Sequence, residues 1–203
     1  MNYNFISIRL AVFFAAVCLC GCSSLPKVER VDIDQRIDIS GRWNDIDSQK
    51  VAAAMIADCL SSSWINRYSS SRGRQPDIII GIVVNRTYEH INIQAFIKEM
   101  ECALIKSGRV CFVASREERK DIRQEREDMA VNSSIDSFKG PGDEAGADYM
   151  LKGYINSIID EAEGKKVVYY QVNLDLIDMG TNRKAWNGNV QIKKFIKRPK
   201  YKW

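Results

Sequence analysis

Histidine is almost absent from this chain, since His90 is the only one among its 203 residues. A Ser-His-Asp or Cys-His catalytic arrangement would need that residue, and we predict that it lies in a surface loop. The phosphate-binding patterns GxxxxGK-S/T and GxGxxG are absent as well. These absences argue against hydrolase and nucleotide-binding chemistry. We therefore expect a protein that is not an enzyme and needs no cofactor.

Cysteine pairs with metal-ligand spacing are also missing, because no CxxC occurs among the six cysteines. Three of the six lie within the first 22 residues, and the remaining three form an odd set, so we expect no metal site. Each of those three has apolar neighbours, which predicts a small buried side chain at each position, although a disulfide between two of them stays open. The three are Cys59, Cys102 and Cys111.

The chain has neither a strong charge nor a long apolar run. Its formal net charge of +4 is too mild to indicate nucleic-acid binding, and we expect no nucleic-acid partner. The apolar stretch at residues 10–19 is only about half of the roughly 20 residues that a membrane-spanning helix needs. Hydrophobic residues make up 45% and charged residues 28%, which is typical of a globular body.

What the N-terminus does contain is the layout of an export signal. Arg9 precedes the apolar stretch 10–19, and small residues follow up to Cys22. The Leu-x-Gly-Cys ending resembles a bacterial lipobox, in which the cysteine becomes an acylated N-terminus. We predict that residues 1–21 are a lipoprotein signal peptide and that Cys22 is the lipid attachment site. The alternative is an ordinary cleaved signal in which Cys22 has no role.

Residues 22–36 are predicted to form a short tether behind the lipidated cysteine. They lack a helical period and contain a single proline, Pro26. Fully extended, the 13 residues 23–35 span at most about 45 Å. Because Ser23 rather than Asp follows Cys22, the usual sorting rule for such lipoproteins indicates the outer membrane, with the protein facing the periplasm.

Apolar spacing predicts two helices in the first half of the body. Ser48 is the expected N-cap of the first, which ends near residues 61–63 and is followed by a polar stretch at 69–74. The second covers residues 92–107, and Gly108 occupies the position of a C-terminal cap.

A third helix is predicted to begin at Ser115, which can form a capping box with Glu118. It continues to about residue 128 and is almost entirely charged. We expect it to be solvated, with few core contacts such as Ile122. The following residues 129–143 contain Gly-Pro-Gly and indicate a loop.

The strand signals differ between the two halves of the body. Residues 77–84 form a β-branched run that predicts a strand buried on both faces, and residues 110–113 a short one. Later the apolar period changes to two, which predicts an antiparallel meander. The fold class is therefore α/β (α+β), a small mixed sheet of about five strands with helices packed on it. The meander strands are 149–156, 167–177 and 184–196.

Five segments in this order, together with the lipobox, resemble the LpoB-type penicillin-binding-protein activators. The resemblance covers residues 37–196, our predicted globular domain, and implies a fold similar to the N-terminal domain of TolB. Some family members carry a long Pro-rich tether, whereas the tether here is short. The matching segments are 40–45, 78–87, 103–113, 146–151 and 185–188.

The resemblance implies a noncatalytic outer-membrane lipoprotein that binds and activates a class A penicillin-binding protein, a peptidoglycan synthase. The alternative is a structural or assembly lipoprotein of the cell envelope related to the curli-secretion lipoprotein. The pore-forming hairpins of that protein have no counterpart in this short chain, which weighs against a pore.

Five residues are candidates for partner binding. Asn85, Arg86 and Thr87 follow a predicted strand, where partner contacts tend to collect, although Asn85 and Thr87 could also simply tie the loop together. Lys152 and Tyr154 share one side of their strand, which is a docking surface, an ordinary solvated face or a face covered by a helix.

A basic tail is predicted at residues 197–203, at the end of a segment from Lys193 to Trp203 that has six basic residues and no acidic one. It could lie on an anionic lipid surface or on peptidoglycan, or be an unstructured basic end.

Overall fold

The computed structural model describes residues 28–32, 35, 37–134, 136, 139, 142 and 144–197. The chain divides into two units, Met1–Gln35 and Arg36–Trp203. In the first unit, the Gln35 backbone N–H donates to the Asp32 carbonyl at 3.1 Å. The predicted signal peptide, Cys22 and the part of the predicted tail beyond Lys197 lie outside the described residues.

The second unit begins with helix α1, Asp45–Ser61, whose N-cap differs from the prediction. Asn44 rather than Ser48 is the cap, and it forms a reciprocal capping box with Asp47 at 3.0 Å in each direction. A side chain can cap only from the residue before the first turn, and Ser48 already lies inside the helix. Its hydroxyl instead accepts a hydrogen bond from the Trp43 indole N–H at 2.8 Å.

Helix α2, Ser63–Arg72, includes four of the six residues of the polar stretch 69–74, for which we predicted no helix. The buried side chains Trp64, Ile65 and Tyr68 hold one side of it against the core, and Gly73 ends it in the left-handed conformation with φ 68°. Tertiary packing therefore outweighs the low helix propensity of its serines.

The next elements agree closely with the sequence. Strand β1 is Asp77–Asn85, helix α3 is Ile93–Lys106 and strand β2 is Cys111–Phe112. The Asn92 side chain caps α3, and Gly108 follows it at φ 65°.

Helix α4, Arg116–Asn132, confirms the predicted capping box, because Ser115 and Glu118 each bond the other's backbone N–H. The helix extends four residues past the predicted end at residue 128. All of its residues are described and none is buried; Ile122 is 42% exposed, so the core contact predicted for it is wrong. Because almost all of its residues are charged, this helix has no continuous apolar face that it could bury against the core.

Three long strands complete the body: β3 Tyr149–Ala162, β4 Lys165–Asp178 and β5 Lys184–Lys197. They pair antiparallel in sequence order, so the predicted meander is confirmed. Strands β1 and β2 add in parallel to give one mixed sheet in the order β2-β1-β3-β4-β5. The fold is the expected small mixed α/β sheet with helices.

The core lies on one face of this sheet, beneath α1, α2 and α3. Strand β4 contributes alternate buried side chains, as its period of two predicts. The buried side chains of the hydrophobic core that the structure describes belong to the Arg36–Trp203 unit, so that unit carries its own core. The β4 members are Val168, Tyr170, Val172, Leu174 and Leu176.

Strand β1 is not buried on both faces, which corrects the prediction. Ile78 is buried, but Ile82 is 72% exposed and Val84 is also exposed. The strand lies next to the two-residue β2 and carries a bulge between Ile80 and Val83 opposite β3. A continuous apolar run does not reveal whether a layer covers its second face, and here much of that face stays open.

Close packing in the sheet leads to a first prediction, Gly153→Ala. A Cβ on Gly153 would overlap the Asn173 backbone carbonyl of the neighbouring strand. Since backbone cannot move aside like a flexible side chain, we expect the free energy of unfolding to fall by about 1–3 kcal/mol. Urea denaturation measures the change. Gly146→Ala is the matched control, because nothing lies within 4 Å of its added Cβ; equal losses in both variants would contradict the packing argument.

The three body cysteines are free thiols, and burial predicted from their neighbours holds only for Cys59. Cys102 and Cys111 are exposed, so the prediction is wrong for both. Apolar neighbours along the chain do not determine which side of an amphipathic helix or which end of an edge strand a residue occupies.

We therefore expect the thiol of Cys59 to react more slowly than the thiols of Cys102 and Cys111. Burial raises the pKa of Cys59 to about 12, so at pH 8 almost none of it is the reactive thiolate. We expect Ellman's reagent to titrate two thiols in native 36–203 fragment and a third only after denaturation. Raising the pH to 9 should not expose the third, because that pH is still far below the Cys59 pKa. Rapid reaction of three thiols in the folded protein would contradict this.

Candidate partner-binding surface

The face of β3–β5 opposite the core carries rows of polar side chains, which we call the polar ladder. Register aligns Asn173 with Asn189 and Asp175 with Asn187 across β4 and β5. Asn187 donates to Asp175, Asn189 donates to Asn173, and Gln191 donates to Asn189 at 2.9 Å. These bonds hold the exposed face in one arrangement. The ladder consists of Gln171, Asn173, Asp175, Asn187, Asn189 and Gln191.

The segment after β1 is tied into a fixed loop by its own side chains. The side-chain amide oxygen of Asn85 accepts a hydrogen bond from the Thr87 backbone N–H at 2.9 Å and another from the Thr87 hydroxyl at 2.7 Å. The Asn85 amide N–H donates to the Glu89 carbonyl at 2.7 Å. Asn85 and Thr87 thus act on the loop itself, one of the two interpretations left open by the sequence.

Glu89 joins this loop to the start of the body. Its carboxylate accepts the Trp43 backbone N–H at 3.0 Å. Trp43 in turn packs edge-on against Tyr170, with ring centroids 5.4 Å apart. The loop is therefore fixed to the core, and its exposed side chains are presented from a rigid support.

Arg86 is the side chain that this loop presents to the sheet. Its backbone N–H donates to the Ile155 carbonyl at 2.8 Å, which holds the residue beside β3. Its guanidinium lies over the Tyr154 ring, 4.6 Å from the centroid. Such a cation–π contact orders both side chains at the edge of the polar ladder.

Tyr154 and Lys152 occupy the same face of β3, as predicted. Tyr154 is half-buried and lies opposite Asn173, whereas Lys152 is exposed and lies opposite Asp175. Asp175 pairs with Lys184 at 2.7 Å, and Lys152 has no ion pair within the part of the chain that the structure describes. Its ammonium is therefore available to a partner carboxylate.

The described residues offer little for chemistry. None of their His, Cys, Asp and Glu side chains group into a metal site. His90 is exposed in the loop before α3, as predicted. None of the helices of the described residues is both long and apolar enough to cross a membrane. A half-buried tyrosine beside exposed arginine and amide groups on a rigid sheet is typical of a protein-binding surface.

The model of one protein family, described as "Peptidoglycan-synthase activator LpoB", matches residues 47–192. That span runs from the first turn of α1 to the middle of β5 and includes Asn85, Arg86, Thr87, Lys152 and Tyr154. The chain belongs to the LpoB family. The resemblance seen in the sequence is thereby confirmed.

Solved LpoB structures are similar at low identity. The LpoB C-terminal domain from Salmonella enterica is 15% identical, with 69% of this chain and 96% of that chain covered and a TM-score of 0.34. The corresponding domain from Escherichia coli is 17% identical, with 72% and 98% covered and a TM-score of 0.34. Lipoprotein GNA1162 from Neisseria meningitidis is 12% identical, with 59% and 83% covered and a TM-score of 0.35. No curated protein matches, and the assignment to LpoB depends on the family match alone.

Sequence reasoning placed the LpoB-like candidates in the right elements but missed two links between them. The contact of Arg86 with Tyr154 depends on the register of β1 against β3, which no local pattern specifies. The bond from Trp43 to Glu89 spans 46 residues of sequence. The outward alternation of β4 and β5 did indicate the polar ladder, but not which side chains meet.

Proposed function

We propose that this chain is a noncatalytic lipoprotein that binds and activates a class A penicillin-binding protein. Membership of a family of peptidoglycan-synthase activators carries the proposal. The rigid polar face with Arg86 over Tyr154 supports it, because tyrosine and arginine are the side chains most enriched where binding energy concentrates.

The anchor in this proposal is an acylated Cys22 in the outer membrane, with residues 1–21 removed as a signal peptide. Residues 22–36 are the tether and 37–196 the globular domain, all facing the periplasm. Strand β5 runs to Lys197, so the basic tail then begins after that residue rather than at it.

The binding site we propose is the surface formed by Arg86, Tyr154 and Lys152. Asn85 and Thr87 position Arg86 through the loop bonds and need not touch the partner. An acidic or carbonyl-rich surface on the synthase would satisfy Arg86 and Lys152, and the polar ladder would supply amide bonds beside them.

Activation would follow from a shift in population. A protein that binds the synthase's active arrangement more tightly than its inactive one favours the active arrangement, by about tenfold for every 1.4 kcal/mol of differential affinity. No reacting group on the activator is required.

The experiment is a binding and activity assay with the 36–203 fragment and the class A synthase of the same cell. We expect a complex in pull-down and faster glycan polymerisation by the synthase. The alternative, an assembly lipoprotein related to the curli-secretion lipoprotein, predicts a ring or ladder in light scattering and no synthase binding. That outcome, or hydrolysis of a substrate by the fragment alone, would overturn the proposal.

A further inference from the structure

The open sheet face changes character beyond the polar ladder, towards the β3–β4 turn. Ile158 is 66% exposed and Phe195 is 57% exposed. Register places Tyr169 opposite Ile158 and Val167 opposite Phe195, so the four side chains adjoin one another on the three strands. Apolar side chains grouped in this way on a soluble surface usually mark an interaction site.

Lysines surround this apolar group. Lys193 lies opposite Tyr169, and Lys165 lies directly opposite Lys197, an arrangement of like charges that costs stability. The Lys197 ammonium is 5.5 Å from the Phe195 ring centroid. Among the described strand positions of this part of the face there are three lysines and one carboxylate, Asp160, and the exposed Glu163 lies in the adjoining turn. We call it the lysine-rimmed patch; it comprises Ile158, Val167, Tyr169 and Phe195 with Lys165, Lys193 and Lys197.

The chain enters the globular domain beside the same end of β5. Lys194 donates to the Arg42 carbonyl at 2.8 Å and pairs with Asp38 at 3.3 Å. Gly41, at φ 68°, packs so closely on Ile196 that a Cβ would overlap it. The first residues of the body are thus fixed at the same end of β5 as the lysine-rimmed patch, but against the opposite face of the strand.

The length of the chain between Cys22 and Asp38 limits how far the patch can lie from the membrane. If Cys22 is acylated, as the proposed function requires, the 17 residues from Cys22 to Asp38 reach at most about 55 Å. The domain then stays close to the leaflet that holds the acyl chains. Tethering raises the effective concentration of that surface, so even weak affinity suffices for contact.

We propose that the lysine-rimmed patch docks on the anionic phospholipid surface of the membrane that holds Cys22. Phe195 and Ile158 would enter the boundary between headgroups and acyl chains, and the three lysines would lie against lipid phosphates with their stems on the apolar group. The proposal rests on the proposed function only for the lipid anchor. Docking would orient the polar ladder and Arg86 relative to the membrane.

Vesicle sedimentation tests this with the unlipidated 36–203 fragment, which has its own core. The probes are phosphatidylcholine vesicles with and without about one third phosphatidylglycerol, at low and high salt. We expect binding to the anionic vesicles only, and at least about tenfold weaker partitioning for Lys193→Glu/Lys197→Glu. Phe195→Gln should also weaken binding several-fold without a change in charge.

The matched control is Lys50→Glu/Lys120→Glu, which makes the same charge change at exposed helical positions. It should retain most of the binding. Equal loss in both double variants, or no binding to anionic vesicles at low salt, would overturn the proposal. So would loss of synthase binding, with vesicle binding intact, in the patch variant, because the patch would then be a protein site.

This test is independent of the proposed function. Failure to bind or stimulate a synthase leaves vesicle binding by the patch unaffected. An unacylated Cys22 in native material would remove the anchor, and vesicle binding by the isolated fragment would still be measured directly.

Discussion

Asp47→Ala is expected to lower the free energy of unfolding by about 3 kcal/mol or more. The Asp47 carboxylate pairs with the Lys194 ammonium at 2.6 Å, and the two side chains are only 6% and 10% exposed. The same carboxylate accepts the Asn44 backbone N–H in the capping box of α1. Its removal leaves a nearly buried ammonium, for which the mostly exposed Asp38 is the one other paired carboxylate among the described residues. It also leaves the Asn44 backbone N–H without its acceptor, although the Asn44 side chain still caps the helix.

The measurement is chemical denaturation of the 36–203 fragment. Asp45→Ala is the matched control, since Asp45 is an exposed carboxylate in the same first turn of α1 and should cost well under 1 kcal/mol. The double variant Asp47→Leu/Lys194→Met should recover much of the loss, because apolar side chains can replace a buried ion pair. A loss below about 1 kcal/mol for Asp47→Ala would show that Lys194 is effectively solvated.

Sequence patterns predicted most of the fold where one physical signal determined the local structure. Strict alternation specified the inward faces of β4 and β5, and Asn92 to Gly108 carried signals for both ends of α3. The patterns failed where the structure depends on distant partners. Ser48 and Asn44 are equally good capping residues, and the choice falls on Asn44 because Asp47 completes the box and also meets Lys194, 147 positions later in the chain.

In the candidate partner-binding surface, too, local patterns predicted the positions of the residues but not the contacts that depend on distant partners. Residue type and position indicated Asn85, Arg86 and Thr87 at a strand end, and alternation put Lys152 and Tyr154 on one face. The geometry that makes them a unit arises from strand register, including the bulge between Ile80 and Val83 that brings Val84 opposite Tyr154. A bulge of this kind has no reliable signal in a β-branched run.

We expect Arg86→Ala or Tyr154→Ala to weaken binding to the synthase by about 30-fold, which corresponds to roughly 2 kcal/mol, the scale of a central interface residue. Each substitution removes a contact with the partner and also frees the other side chain from the 4.6 Å cation–π pair. The double variant should therefore lose less than the sum of the two single losses. Arg86→Lys keeps the charge but not the planar group, so it should recover only part of the affinity.

Titration calorimetry or surface plasmon resonance with the 36–203 fragment gives the affinities, and stimulated glycan polymerisation should fall in parallel while the synthase's basal rate stays unchanged. Arg183→Ala is the matched control, since this exposed arginine lies in the turn between β4 and β5 and should leave binding within about twofold of the wild type. Thermal unfolding of each variant shows whether the weaker binding comes from a lost contact or from a destabilised domain. This check matters most for Tyr154, which is half-buried, whereas Arg86 is exposed. Wild-type affinity in the folded double variant would place the partner on another face of the domain, even though the family assignment would stand.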